Sequence, residues 1–114
     1  MGIQIIGTKK CRETQKTERY FKERGWPYHF VDLNQRSLSS GELAAIVTAI
    51  GAEELIDTES KVYKRKGMAY MEFDPVEEIE ENPALMKTPV VRDGRKAVLG
   101  YNPDEWKEVH GLSK

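Results

Sequence analysis

The chain has 114 residues, a formal net charge of −1, 39% hydrophobic and 32% charged residues, two histidines and one cysteine. That length fits one domain with a modest core, and the charge balance of the whole chain suggests neither a polyelectrolyte nucleic-acid surface nor an acidic tail, so any DNA role is indirect or local. A lone cysteine excludes an internal disulfide. No apolar run reaches the length of a membrane span, no metal-ligand spacing or phosphate-cradling glycine loop is present, and no secretory h-region follows Met1. The expectation is a cytoplasmic protein that holds no metal and contacts neither membrane nor DNA directly.

Ile3 to Ile6 reads as a buried strand that breaks at Gly7-Thr8-Lys9-Lys10. Arg12 to Arg24 then reads as a helix with Thr14, Thr17, Tyr20 and Phe21 inward and Gly25 as its stop. Cys11 therefore stands at a strand-to-helix junction, where unpaired helix N–H groups and the neighbouring Lys9, Lys10 and Arg12 favour thiolate over thiol. The alternative for Cys11 is a small buried filler without chemistry. Tyr28 to Leu33 gives a second strand, parallel to the first in a right-handed βαβ unit. Open α/β sheets carry their sites at the strand edge where Cys11 lies.

Ser39 and Glu42 are spaced as a capping box ahead of Leu43, Ile46, Val47 and Ile50, with Gly51 as the stop. Further helices are predicted from Ser60 to Lys66 and from Asp74-Pro75 to about Glu81, so residues 34 to 86 form a helical block. The basic run Lys61, Lys64, Arg65, Lys66 and the acidic run Glu77, Glu78, Glu80, Glu81 read as solvated faces able to pair with each other. Thr88 to Arg92 and Arg95 to Leu99 form an antiparallel hairpin, with Asp93-Gly94 expected to supply a type I′ turn. Asn102 and Pro103 open a last helix that buries Trp106 and Val109. His29 and His110 read as solvated or satisfied histidines rather than catalysts.

This order of elements, with the Cys11 loop, Gly25-Trp26-Pro27-Tyr28, Leu55-Ile56-Asp57-Thr58, Asn82-Pro83, Thr88-Pro89-Val90-Val91 and Leu99-Gly100-Tyr101-Asn102, resembles the arsenate reductase-like family, which includes the Spx-type regulators. The resemblance spans nearly the whole chain. It implies a single thioredoxin-like α/β domain over residues 1–114, with a small mixed sheet, flanking helices and the helical insertion at 34–86. It also implies a cis Pro89 facing the Cys11 loop. In reductases of the family the cysteine attacks arsenate and an external thiol such as glutathione, or a glutaredoxin, completes the cycle. Cys11 inherits that nucleophilic role, with Lys10, Arg12, Thr14, Gln15, Thr88 and Pro89 as the expected substrate-binding set.

The departures from the family carry expectations too. Thr14 stands where redox-sensing relatives have a second cysteine, either as a hydroxyl donor to sulfur or as a first-turn residue facing the sheet. Gln15 replaces a common arginine. The oxyanion-binding arginines correspond to Glu59 and Thr88, which predicts weak arsenate turnover, with Lys9, Lys10, Arg12 and Lys87 as substitute cations. Two function classes follow: a thiol oxidoreductase acting on a small oxyanion, thiol or disulfide, and an Spx-type module that binds RNA polymerase through a surface including Gly51 and Lys61 to Lys66. A family scaffold that has lost its chemistry is a further possibility.

Overall fold

The computed structural model describes residues 2–112. Strand β1 (Gln4–Gly7) leads through helix α1 (Arg12–Arg24) into β2 (His29–Asp32). Then come α2 (Ser40–Ile50), α3 (Ala52–Leu55), α4 (Lys61–Arg65) and α5 (Pro75–Glu81), followed by the hairpin of β3 (Val90–Asp93) and β4 (Lys96–Leu99) and by α6 (Pro103–His110). Short 3-10 turns at Met68–Tyr70 and Pro83–Leu85 fill out the block. The strand order is β2-β1-β3-β4, with β1 and β2 parallel and the other two pairings antiparallel. This is the mixed, thioredoxin-like sheet that the sequence implies.

Alternation along the strands buries both faces of the sheet, because successive side chains point to opposite sides. Ile6, Val31 and Val90 join Leu43 and Ile46 of α2, Leu55 of α3 and Ile79 of α5 in one apolar cluster. Ile5, Val91 and Val98 face the other way, against Phe21 of α1, Trp26 and Trp106 of α6. In that second cluster Trp106 stacks edge-on against Tyr20, Phe21 and Tyr101 with ring centroids 5.2–5.5 Å apart. The result is three layers: α1 and α6, the sheet, and the helical block.

Local signals account for the element ends. The capping box closes on α2: the Glu42 N–H donates to Ser39 Oγ at 3.1 Å and the Ser39 N–H donates to Glu42 Oε1 at 2.9 Å. Arg36 adds an ion pair to Glu42 at 3.0 Å. Helix α1 inserts Thr14, Thr17 and Phe21, while Tyr20 is only partly covered, and Gly25 ends it in the left-handed region. The basic and acidic runs meet at one point, Lys66 to Glu78 at 2.8 Å, whereas Lys64 pairs with Glu59 at 3.4 Å.

The hairpin turn differs from expectation. Asp93 pairs with Lys96, so Gly94-Arg95 are the central residues in place of Asp93-Gly94. Only Gly94 has positive φ, at 63°, which is the sign pattern of a type II′ turn; type I′ needs both central residues there. The reason is pairing: Asp93 stays in the ladder opposite Lys96, and the glycine falls on the first central position.

Candidate functional site

Three segments converge at the edge of the sheet. The loop after β1 carries Thr8, Lys10 and Cys11, and Cys11 is the N-cap residue of α1 in extended conformation. Thr88, preceding Pro89 across a cis peptide bond, comes from the segment entering β3. The helical block supplies the third segment through an isolated antiparallel bridge between Ile56 and Met86. Backbone bonds on either side, Asp57 N–H to Leu85 O and Lys87 N–H to Leu55 O, both 2.7 Å, bring residues 55–57 beside 85–87. Together they enclose an open cleft of about 590 Å³.

Thr88 holds the Cys11 sulfur from two directions. Its hydroxyl donates to Sγ at 3.1 Å, and its carbonyl accepts from the thiol at the longer distance of 3.7 Å. The hydroxyl bond persists and strengthens when sulfur carries charge, whereas the carbonyl contact serves the protonated form. Partial burial pushes the Cys11 thiol up, but the Thr14 and Thr88 hydroxyls with the backbone N–H groups of Thr14 and Glu13 outweigh it, so its pKa lies below the ordinary thiol value. Those two N–H groups are orphan donors of the first turn of α1, near the sulfur although neither makes a full capping hydrogen bond to it.

Thr14 is fully buried. Its Oγ1 has no hydrogen-bond partner among the described residues at full donor geometry, although it lies close enough to sulfur to favour the thiolate. The two readings of Thr14 thus coincide, since it faces the sheet and also flanks the thiol. A Cβ added to Gly7 would come within 2.3 Å of Thr14 Oγ1, so only glycine lets the first turn of α1 lie this close to β1.

The remaining expected residues separate. Lys10 and Thr88 line the cleft; Pro89 is buried beside it and does not line it. Arg12 and Gln15 are exposed on α1 away from the cleft, and the Gln15 amide donates to the Lys9 carbonyl, tying the loop to the helix. The expectation that Lys9, Lys10 and Arg12 acidify the thiol fails, because hydroxyls and helix N–H groups do this instead. Adjacency in sequence does not aim a long side chain at its neighbour. Neither Lys9 nor Lys87 lines the cleft, and Glu59, expected at an oxyanion-binding position, is exposed and turned to Lys64.

The block side of the cleft has no signature as a site in the sequence. Asp57, Glu81, Asn82, Pro83, Ala84 and Met86 form it. The segments Leu55 to Thr58 and Asn82-Pro83 carried the family resemblance, and the bridge between them was the missing step. His29 is exposed on β2, and His110 bonds to the Val91 carbonyl through Nε2 at 2.9 Å, outside the cleft. Among the described residues no group of three or more His, Cys, Asp or Glu side chains gathers to hold a metal ion, and no helix is long and apolar enough to cross a membrane.

Comparison with known proteins places this geometry. The chain is 30% identical over 113 residues to the global transcriptional regulator Spx 2 of Oceanobacillus iheyensis, covering 95% of this chain and 83% of that protein. It is 32% identical over 108 residues to the Spx regulator of Enterococcus faecalis, covering 90% and 82%. In fold it matches an arsenate reductase from Vibrio cholerae with a TM-score of 0.80 at 19% identity, over 96% of this chain and 98% of that one. A model of the ArsC family matches residues 6–109, from the last turn-ward residues of β1 to α6, so the Cys11 loop, the helical block and the cis-proline segment all fall inside it: the chain belongs to the ArsC family.

Proposed function

We propose that this protein is a one-cysteine thiol oxidoreductase in which Cys11 is the nucleophile and an external thiol, in a reducing cytoplasmic compartment, returns it to the thiolate. The observation that carries this reading is the Thr88 hydroxyl directed at Sγ from 3.1 Å, at the N-cap of α1 and on the wall of an open cleft. A buried filler needs no such donor; a thiolate does. With no second cysteine in the chain, the covalent intermediate is resolved by a second molecule. Arsenate is a weak candidate substrate, since the positions matching the family's arginines are Thr88 and an outward-facing Glu59.

The test is the pH dependence of Cys11 alkylation in the folded protein against an unfolded control. The expected result is an apparent pKa below that of the unfolded chain, with reaction lost in Cys11→Ser. A thiol that titrates normally, or reacts only after unfolding, sinks the reading.

A second reading has its own support in the identity to the two Spx regulators. In it the protein is a binding module for RNA polymerase, docking through the Gly51 junction between α2 and α3 and the exposed Lys61, Lys64 and Arg65 of α4. Polymerase binding that is unchanged by Cys11→Ser favours this reading over the enzyme.

A further inference from the structure

The two walls of the Cys11 cleft differ in charge. The wall contributed by the helical block presents Asp57 and Glu81, and no lysine or arginine lines it. Neither carboxylate has an ion-pair partner among the described residues. Among the described residues Lys10 is the one cation lining the cleft, and it lies in the loop that carries Cys11. Asp57 is fixed in place, because its Oδ1 accepts the Glu59 N–H at 3.0 Å while its backbone is held by the bridge to Leu85. At the other end of the cleft Thr88 directs its hydroxyl at the sulfur from 3.1 Å.

The reacting end of the cleft is thus built to hold negative charge on sulfur, and the far end is built to meet positive charge on whatever lies there. An oxyanion meets two carboxylates and no guanidinium. Glutathione, with two carboxylates and one ammonium group, meets the same wall less favourably than a thiol of net positive charge.

Resting on the thiol chemistry proposed above, we infer that the substrate of Cys11 is a cationic disulfide, one that carries ammonium or guanidinium groups near its sulfurs and sets them against Asp57 and Glu81. The Cys11 thiolate attacks one sulfur of R–S–S–R. The Cys11–S–S–R bond forms as the original S–S bond breaks, and RS⁻ leaves with the electron pair and takes a proton from solvent. An external thiol R′SH, ionised by loss of its proton to solvent, then attacks the R-side sulfur. It gives R–S–S–R′ and releases the Cys11 thiolate.

The experiment measures second-order exchange rates of Cys11 with cystamine, 2-hydroxyethyl disulfide and 3,3′-dithiodipropionate, each divided by the rate of N-acetylcysteine amide with the same disulfide. The reference removes differences in leaving-group acidity. The expected order is cationic, neutral, anionic, with a normalised cation-to-anion preference on the order of fivefold at low salt that collapses in about 1 M salt. The preference shrinks in Asp57→Asn/Glu81→Gln, and in Glu81→Gln alone should the double variant fold poorly. A disulfide-linked dimer of a lysine-flanked cysteine peptide, compared with cystamine, tells whether a basic polypeptide or a small amine is the better source of the charge. Fast but charge-blind exchange, or a preference untouched by the carboxylate substitutions, overturns this inference and leaves the thiol chemistry standing. Exchange no faster than the reference with all the disulfides overturns both.

Discussion

Replacing Thr88 by valine removes the hydroxyl that donates to the Cys11 sulfur at 3.1 Å and keeps the β-branched shape ahead of Pro89. A hydrogen bond to a charged group contributes about 1.5–3 kcal/mol, and the lower end applies because Cys11 is only partly buried. At about 1.4 kcal/mol per unit, the thiol pKa rises by about one unit. Well below both pKa values the thiolate fraction falls about tenfold, but the more basic thiolate is about threefold more nucleophilic, given a Brønsted coefficient near 0.4–0.5. Exchange with a neutral disulfide therefore slows about three- to fourfold at acid pH and becomes faster than in the parent protein above both pKa values. Thr88→Ser, which keeps the donor, stays near the parent curve. Stopped-flow exchange across pH reads all three proteins. Superimposable profiles for the parent and Thr88→Val would show that the Thr88 hydroxyl does not hold the thiolate, and the basis of the proposed chemistry would go with it.

Gly7→Ala drives a methyl group into Thr14 and is expected to destabilise the protein by about 1–3 kcal/mol in urea unfolding, with part of the loss recovered in Gly7→Ala/Thr14→Ala. Additive losses would show that the two residues do not press on each other. Trp106→Ala empties the centre of the aromatic cluster and is expected to cost about 3–5 kcal/mol; a loss under about 1 kcal/mol would mean that α6 adds little to the fold. Glu42 is held at about 2, below its ordinary 4.5, first by the Arg36 guanidinium and then, against some burial, by the Ser39 N–H and Gln4. A depressed carboxyl stabilises the fold above its unfolded pKa and loses that contribution as pH falls through the folded one. Glu42→Gln is therefore expected to be less stable above about pH 5, by about 0.5–1 kcal/mol for a partly exposed pair, with the gap closing between 4.5 and about 2. A gap independent of pH would assign the effect to the cap and not to the charge.

Local determinants are legible in the sequence. Ser39 and Glu42 are three residues apart, and their reciprocal bonds need nothing from the rest of the chain. Gly25 and Asn102 likewise mark the ends of α1 and α6 by local geometry. The four-residue α3 and the 3-10 turns leave no mark in the sequence, because pieces that short carry no periodicity. The hairpin was legible, but its turn was displaced by one residue because pairing between Asp93 and Lys96 decides where the ladder ends. At the site, Cys11 followed from the strand-to-helix junction, and Thr88 and Pro89 from the family resemblance. The cleft wall at Asp57 and Glu81 was hidden, since it exists only once Ile56 bridges Met86 across some thirty residues. The flanking cations misled for a related reason: position along the chain fixes neither direction nor reach, and the sulfur is served by donors from α1 and from beyond the block.

The three-layer build separates two properties of the site. What lowers the Cys11 pKa comes from α1 and from Thr88 at the entry to β3. What faces it across the cleft comes from the ends of helices seated on the opposite side of the sheet, which pack through their own apolar cluster. Asp57, Glu81 and Ala84 belong neither to that cluster nor to the donors around the sulfur. A lineage built on this architecture can keep its nucleophile tuned while exchanging one clientele for another. It can also keep the framework and retire the nucleophile, so reductases and regulators can descend from one scaffold without rebuilding it.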